Sequence, residues 1–189
     1  LMWNPGFATP ETRGARLHGW HRAFCIYSEH YRGTPQRPGL ILGLLPGGSC
    51  RGLAHRLPAR RYDEVRRYLI HREIDNDGVY EETIRPIHLD DGRTVPALVY
   101  LADRKHRQFA GKLPIKKAVA LVRNGHGATG SNLSYVQNTV AHLTEMGQAY
   151  EPFNPDSDLL VTRKYTEAEK AALQQRLMEQ TQLLLEQAN

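Results

Sequence analysis

The sequence predicts an α+β fold, because strand patterns come first along the chain and helical patterns mostly come later. Residues 1–57 combine short apolar runs with turn sequences that contain glycine and proline. Residues 80–102 contain two further strand patterns around an Asp-Gly turn. After Gly130 the apolar residues recur at helical spacing. Strands and helices are therefore segregated, rather than alternating as they do around a parallel sheet.

The first strands are short apolar runs bounded by turns. RAFCIYS (22–28) and LILGLL (40–45) are predicted strands, and RGLAHRL (51–57) is a candidate for a third. Glycine and proline clusters at 32–35 and 46–48 indicate turns between them. We therefore expect this part of the chain to form a sheet of several short strands.

A helix and a hairpin come next. Residues 59–73 carry apolar side chains at helical spacing, which predicts an amphipathic helix. Residues 80–89 alternate between apolar and polar side chains, as a half-buried strand does. Because 94–102 follow directly after the turn sequence Asp91-Gly92, the two predicted strands are expected to pair as a hairpin.

Two helices are predicted in the last part of the chain. Ser131 is a cap for a helix that ends at Gly147. A C-terminal helix is predicted over residues 166–189, where a T-x-x-E capping box precedes a stripe of leucines. This helix is expected either to cover the sheet or to contact another protomer. The length of 189 residues predicts a single domain over residues 1–189.

Composition and charge argue against several classes of protein. The longest apolar run, GLILGLL at 39–45, is strand-sized and far shorter than the ~18 residues of a membrane span. The formal net charge of +5 is mild, and the basic group at 104–107 is interpreted as solvated surface. Neither a membrane nor a nucleic-acid partner is therefore expected. Cys25 and Cys50 form no disulfide framework, which favours a reducing, cytoplasmic location.

Motifs for cofactor and metal chemistry are weak. GHGATG at 125–130 fits the dinucleotide fingerprint G-x-G-x-x-G and follows the apolar run 118–122. No βαβ unit follows it, however, so no dinucleotide cofactor is expected. His18 and His21 lack further ligands at zinc spacing, and neither HExxH nor G-x-S-x-G occurs in the sequence. The residues therefore predict no metal site and no serine nucleophile.

Glu73 is the candidate for chemistry among the acidic residues. It ends the predicted helix of residues 59–73, directly before a glycine-containing loop and a strand. The residues alone leave two interpretations open. The simpler one is a surface carboxylate paired with Arg72 or Arg66. The other is a carboxylate that faces a cleft and acts as a general base and acid.

Several segments together resemble the ChaC-type γ-glutamylcyclotransferases, which act on glutathione. In chain order they are LMWNPGF, HYRGTPQRPGLILGL, RGLAHRLP, YLIHRE with GVY behind it, and GHGATGSNLSYV. The most specific of them is Y-R-G-T-P followed by R-P-G and an apolar strand. The resemblance runs from Leu1 to about Leu143. It implies a small mixed β-barrel-like sheet with flanking helices and a cleft at one end.

The resemblance also implies site residues. Arg72-Glu73 matches the family's Arg-Glu pair at the end of a helix, so Glu73 is expected to be the catalytic base and acid. Leu1 and Trp3 match the residues after the family's Tyr-Gly-Ser loop. The first strand, which carries that loop, is therefore expected to precede residue 1 and to supply N–H donors to the substrate. The implied substrate-binding residues are Leu1, Arg32, Gly33, Tyr80 and Tyr135.

The activity implied by the resemblance is cleavage of glutathione to 5-oxoproline and Cys-Gly. The α-amine of the γ-glutamyl group attacks its own γ-carbonyl, and neither a metal nor another cofactor is needed. We expect a monomer or a weak homodimer. Two alternatives stay open: a cyclotransferase for other γ-glutamyl amides or peptides, and a non-enzymatic binding protein like a cation-transport regulator. Generic nucleic-acid binding is a third, which the mild charge supports weakly.

Overall fold

A long antiparallel hairpin dominates the computed structural model, which describes residues 5–75 and 78–147. Its strands are β1 (Glu11–Ser28) and β2 (Gly39–Arg56), and they pair along almost their whole length. The predicted strands 22–28 and 40–45 lie inside β1 and β2. Residues 51–56 belong to β2 as well, so the separate third strand suggested by the sequence is wrong.

The glycine cluster at 46–48 explains why β2 continues where a turn was expected. Gly47 and Gly48 lie opposite Gly19 of β1, at a shift in the pairing register. All three glycines have positive φ, of 102°, 67° and 80° respectively, which glycine adopts without steric cost. The extra residue is therefore absorbed as a bulge, and both strands continue through it.

The predicted helix over residues 59–73 is confirmed, although it consists of three successive helical segments. A 3₁₀ turn (Ala59–Arg61) leads into α1 (Tyr62–Ile70), and α1 continues into a π-helical turn (His71–Asp75). Val65 and Leu69 are buried and attach α1 to the rest of the fold.

A second hairpin completes the sheet. β3 (Tyr80–Leu89) and β4 (Thr94–Ala102) pair around the predicted Asp-Gly turn, as expected. The strand order is β2-β1-β3-β4, and the described pairs are antiparallel. β1 and β3 pair only over two residues, Ala15 and Arg16, and then diverge.

The sheet curves so that its outer strands approach each other. A Cβ built on Gly43 of β2 would lie 3.0 Å from the Cβ of Ala102 in β4. Other residues of β2 and β4 are also in contact. The α+β class is therefore confirmed and the sheet curves toward a barrel, but its described strand pairs are antiparallel rather than mixed.

Two helices cover one side of the hairpin. α2 (Ile115–Asn124) is followed by two short strands, β5 (His126–Gly127) and β6 (Gly130–Ser131), and then by α3 (Asn132–Glu145). Leu40 of β2 is fully buried against apolar residues of both helices. The apolar run 118–122 is thus helical, which removes the strand that a dinucleotide fingerprint requires.

The predicted start and end of α3 are confirmed. Ser131 caps the helix, because its side chain accepts a hydrogen bond of 3.1 Å from the N–H of Ser134. Gly147 follows the helix with a φ of 68°. The C-terminal helix predicted over residues 166–189 lies outside the described residues.

Both cysteines are buried thiols, and we expect them to be unreactive in the folded protein. Cys25 is 1% exposed and Cys50 7% exposed. Burial raises the pKa of Cys25 to about 12 and also raises the pKa of Cys50, so little thiolate exists near neutral pH. An aromatic disulfide reagent at pH 8 should label neither thiol in the native protein and both in denaturant. Labelling of one equivalent in the native protein would contradict this burial.

Candidate active site

Glu73 lies in the π-helical turn between α1 and β3. Its carboxylate Oε1 is 3.1 Å from Nε of Arg72, and its side chain is 19% exposed. The structure thus combines parts of both interpretations of this residue: Glu73 is paired with Arg72, yet it is largely shielded from solvent. Single π turns within α-helices frequently occur at functional sites, because the wider turn redirects the side chains that follow it.

The N-terminal segment contacts the same helical turn. Nη1 of Arg72 donates to the carbonyl oxygen of Pro5 at 3.2 Å and lies 3.2 Å from the hydroxyl of Tyr68. The ring of Phe7 meets the ring of Tyr68 edge to face, with 6.4 Å between the centroids. Arg72 therefore connects the start of the described chain to Glu73. Leu1 lies outside the described residues.

A second shielded carboxylate, Glu82, lies on β3. It is held by Arg66 of α1, whose Nη2 is 2.7 Å away, and by the hydroxyl of Tyr100, which donates to Oε2 at 3.0 Å. The side chain of Glu82 is 14% exposed. Burial raises the pKa of Tyr100, and the neighbouring Glu82 and then Glu73 raise it further, so Tyr100 stays a neutral phenol.

Sequence reasoning did not identify Glu82 or Tyr100 as site residues. A signal was present, however, because the Asp91-Gly92 turn sets the register of the hairpin that pairs Glu82 with Tyr100. That Arg66 pairs with Glu82 rather than with Glu73 could not be read from the sequence.

Tyr80 and Tyr135 are brought together by one residue of β2. The hydroxyl of Tyr80 donates to the carbonyl oxygen of Leu42 at 2.8 Å. The N–H of Leu42 donates to the hydroxyl oxygen of Tyr135 at 3.3 Å. Burial raises the pKa of Tyr135, which keeps this phenol protonated near neutral pH. Both predicted tyrosines thus lie at the same point on the outer edge of β2.

Asn132 caps the outer edge of β2 at Leu40, two residues before Leu42. Its side chain accepts from the N–H of Leu40 at 2.6 Å and donates to the carbonyl oxygen of Leu40 at 2.9 Å. Asn132 and Tyr135 are three residues apart on α3 and share a helix face, while Leu40 and Leu42 point to the same edge of the strand. The Asn-x-x-Tyr spacing on α3 therefore places Asn132 at the backbone of Leu40 and Tyr135 at the backbone of Leu42, two residues further along β2.

Arg32 lies beside Tyr135 and next to the start of α3. Its Nη1 donates to the carbonyl oxygen of Thr129 at 2.7 Å, and its guanidinium carbon is 5.4 Å from the centroid of the Tyr135 ring. Gly33 is required by a close approach of the backbone, since a Cβ there would lie 2.1 Å from the N atom of Gly39. That Arg32 and Gly33 bind substrate remains a prediction.

The described residues also bear on metal binding and on membrane insertion. Within residues 5–75 and 78–147, no cluster of three or more His, Cys, Asp or Glu side chains could hold a metal ion. None of the helices in the same part of the chain is long and apolar enough to cross a membrane.

Comparison with known proteins adds independent evidence. A model of the family described as ChaC-like protein matches residues 1–161. The Escherichia coli (strain K12) protein named glutathione-specific gamma-glutamylcyclotransferase is 36% identical over 169 residues, which cover 89% of this chain and 71% of that protein. A Schizosaccharomyces pombe protein of the same name is 27% identical over 176 residues, with 83% and 82% of the two chains covered.

A solved structure supports the fold. The crystal structure of a selenomethionine-labelled γ-glutamyl cyclotransferase specific to glutathione, from yeast, superposes with a TM-score of 0.73. The match covers 95% of this chain and 92% of that chain, at 20% sequence identity. The arrangement of strands and helices described above is therefore a known one.

Proposed function

Because this chain belongs to the ChaC-like protein family, we propose that it is a glutathione-specific γ-glutamylcyclotransferase. The observation that carries the proposal is the shielded carboxylate of Glu73, in a chain 36% identical to an Escherichia coli protein of that name. The proposed reaction cleaves glutathione to 5-oxoproline and Cys-Gly, which makes the protein a lyase that acts on a C–N bond.

The proposed reaction is intramolecular. The α-nitrogen of the γ-glutamyl group bonds to its own γ-carbonyl carbon, and the bond from that carbon to the cysteine nitrogen breaks. The α-ammonium loses two protons as it becomes the lactam N–H, and the departing nitrogen gains two as it becomes an ammonium. No water is consumed. The enzyme must hold the substrate in its ring-closing conformation and transfer protons, and such positioning is worth several kcal/mol.

Glu73 is proposed as the group that transfers protons. As a carboxylate it removes a proton from the α-ammonium, and as a carboxylic acid it protonates the departing nitrogen. Arg72 fixes the orientation of Glu73. Its Nε contacts the Glu73 carboxylate at 3.1 Å, while its Nη1 is bound to the carbonyl oxygen of Pro5. The contact with Pro5 keeps the start of the described chain close to the proposed base.

The proposed substrate-binding groups have separate roles. Backbone N–H donors of the N-terminal loop, including Leu1, stabilise the negative charge that develops on the γ-carbonyl oxygen. Arg32 and Gly33 hold the substrate's α-carboxylate, aided by the partial positive charge at the start of α3. Tyr80 and Tyr135 form one wall of the cleft, because their hydroxyls meet at Leu42.

The same proposal has consequences for the location, the cofactors and the oligomeric state of the enzyme. We infer a cytoplasmic location, which suits an abundant intracellular thiol substrate and two reduced cysteines. The proposed chemistry uses neither a metal nor another cofactor. A monomer or a weak homodimer is sufficient, since every proposed site residue is supplied by one chain.

The test is an assay for 5-oxoproline and Cys-Gly with glutathione as substrate and γ-glutamyl-alanine beside it. The proposal predicts both products from glutathione in equal amounts and a much lower kcat/KM for γ-glutamyl-alanine. Preference for γ-glutamyl-alanine would replace the proposed substrate with other γ-glutamyl amides. The absence of 5-oxoproline from every γ-glutamyl compound would favour a non-enzymatic binding protein.

A further inference from the structure

A connected cluster of polar side chains lies near the turn that contains Glu73. We call it the Tyr100 cluster, and it consists of Arg66, Glu82 and Tyr100. Glu82 and Tyr100 are cross-strand partners in the second hairpin, on β3 and β4. Arg66 contacts Glu82 from α1, seven residues before Glu73. The π-helical turn that contains Glu73 also contacts β3, the strand that carries Glu82.

The hydrogen bonds within the cluster determine what the Tyr100 hydroxyl can offer. A tyrosine hydroxyl has one proton to donate and lone pairs that accept. The ionised carboxylate of Glu82 can only accept, so the proton of Tyr100 is directed to Oε2 of Glu82, 3.0 Å away. Arg66 makes two contacts to Oε1 of Glu82, of 2.8 and 2.7 Å, which hold this carboxylate in place. Toward any further group Tyr100 therefore presents acceptor lone pairs.

A group that meets this acceptor should be a cationic donor. The Tyr100 hydroxyl is hydrogen-bonded to the carboxylate of Glu82 and lies within electrostatic range of Glu73, and these two negative charges favour a cation beside it, against the opposing charge of Arg66. The α-ammonium of a γ-glutamyl substrate carries three N–H donors and must come to Glu73 to lose a proton. An ammonium group that gives one N–H to Glu73 has further N–H donors to satisfy, and the Tyr100 hydroxyl can accept one of them.

We propose that Tyr100 accepts a hydrogen bond from the substrate's α-ammonium group, and that Glu82, held by Arg66, is a positioning residue that orients the Tyr100 hydroxyl for this contact. The inference rests on the proposed function, since it concerns how a γ-glutamyl substrate is presented to Glu73. It assigns Glu82 a role that acts through Tyr100 rather than through contact with substrate.

Steady-state kinetics of Tyr100→Phe and Glu82→Gln test the assignment. The phenylalanine variant keeps the ring and removes the acceptor, so KM for glutathione should rise roughly tenfold or more, as expected for a lost hydrogen bond to a charged group, with a smaller change in kcat. Glu82→Gln should raise KM less, because the amide oxygen still accepts from Tyr100. Glu81→Gln, an exposed neighbour on the other face of β3, is the matched control and should leave KM unchanged.

Two comparisons separate this role from a merely structural one. Glu82→Gln in the Tyr100→Phe background should raise KM no further, because Glu82 acts through the missing hydroxyl. Glutaryl-Cys-Gly, which lacks the α-amine, should inhibit the parent and Tyr100→Phe equally. Additive effects of the two substitutions, or equal loss of affinity for glutathione and the analogue, would overturn the proposal. If the parent is active and KM is unchanged in both variants, the role of Tyr100 is overturned but the proposed function stands. If the parent is inactive, the proposed function and this inference are overturned together.

Discussion

Replacing Glu73 by Gln is expected to abolish the release of 5-oxoproline from glutathione while the protein stays folded. The amide keeps the shape of the side chain and can still accept from Arg72, but it cannot remove a proton from the α-ammonium. General acid–base groups typically contribute 10²–10⁴-fold to a rate, so we expect kcat to fall by about 10³-fold. Product formation should be followed by separation and quantitation of 5-oxoproline.

The stability of this variant distinguishes catalysis from structure. The contact between Glu73 and Arg72 is an ion pair with partly exposed side chains, at 19% and 31%, and such pairs contribute about 1 kcal/mol or less. The denaturation midpoint of Glu73→Gln should therefore lie close to that of the parent. Glu145→Gln, at an exposed carboxylate on α3, is the control and should retain both activity and stability. Turnover of glutathione by Glu73→Gln at the parental rate would show that another group transfers the proton.

The position of Glu73 could be predicted from the sequence because its causes are local. Helical periodicity over residues 59–73, followed by a glycine-containing loop and an alternating strand, places Glu73 at a junction between a helix and a sheet. The same local signals predicted the second hairpin and the cap of α3 at Ser131. The π-helical form of the turn that contains Glu73 has no such signal in the sequence.

The course of β2 shows where local signals mislead. Pro46, Gly47 and Gly48 are typical of a turn, and only pairing with Gly19 of β1 shows that the chain continues as a strand. A bulge depends on the partner strand, some 30 residues away in the sequence. The separate third strand was wrong for this reason, although residues 51–56 of it do lie in a strand.

The convergence of Tyr80 and Tyr135 required the tertiary structure. They come from β3 and α3, and they meet because both bind backbone groups of Leu42. The resemblance named both residues as substrate-binding. The structure adds that each also caps the edge of β2, so their substitution will change the fold as well as any contact with substrate.

Asn132→Ala is expected to cause the largest loss of stability among single substitutions at this edge. Asn132 is fully buried, and its side chain pairs with both backbone groups of Leu40, much as a neighbouring strand would. Alanine leaves that N–H and that carbonyl group without their partner in a buried position. Each of the two unsatisfied groups costs about 1–3 kcal/mol, so the free energy of unfolding should fall by roughly 2–6 kcal/mol.

Urea denaturation followed by circular dichroism measures this loss, with Asn138→Ala as the matched control. Asn138 lies on the same helix and is exposed, so its replacement removes the same amide without unpairing β2. The melting temperature of Asn132→Ala should drop by about 5–20 °C, and that of Asn138→Ala should change little. Because Asn132 and Tyr135 share one face of α3, the destabilised variant should also lose part of the contact at Leu42 and some activity with it. Equal denaturation midpoints for the two alanine variants would show that α3 is held to β2 by apolar packing rather than by the Asn132 amide.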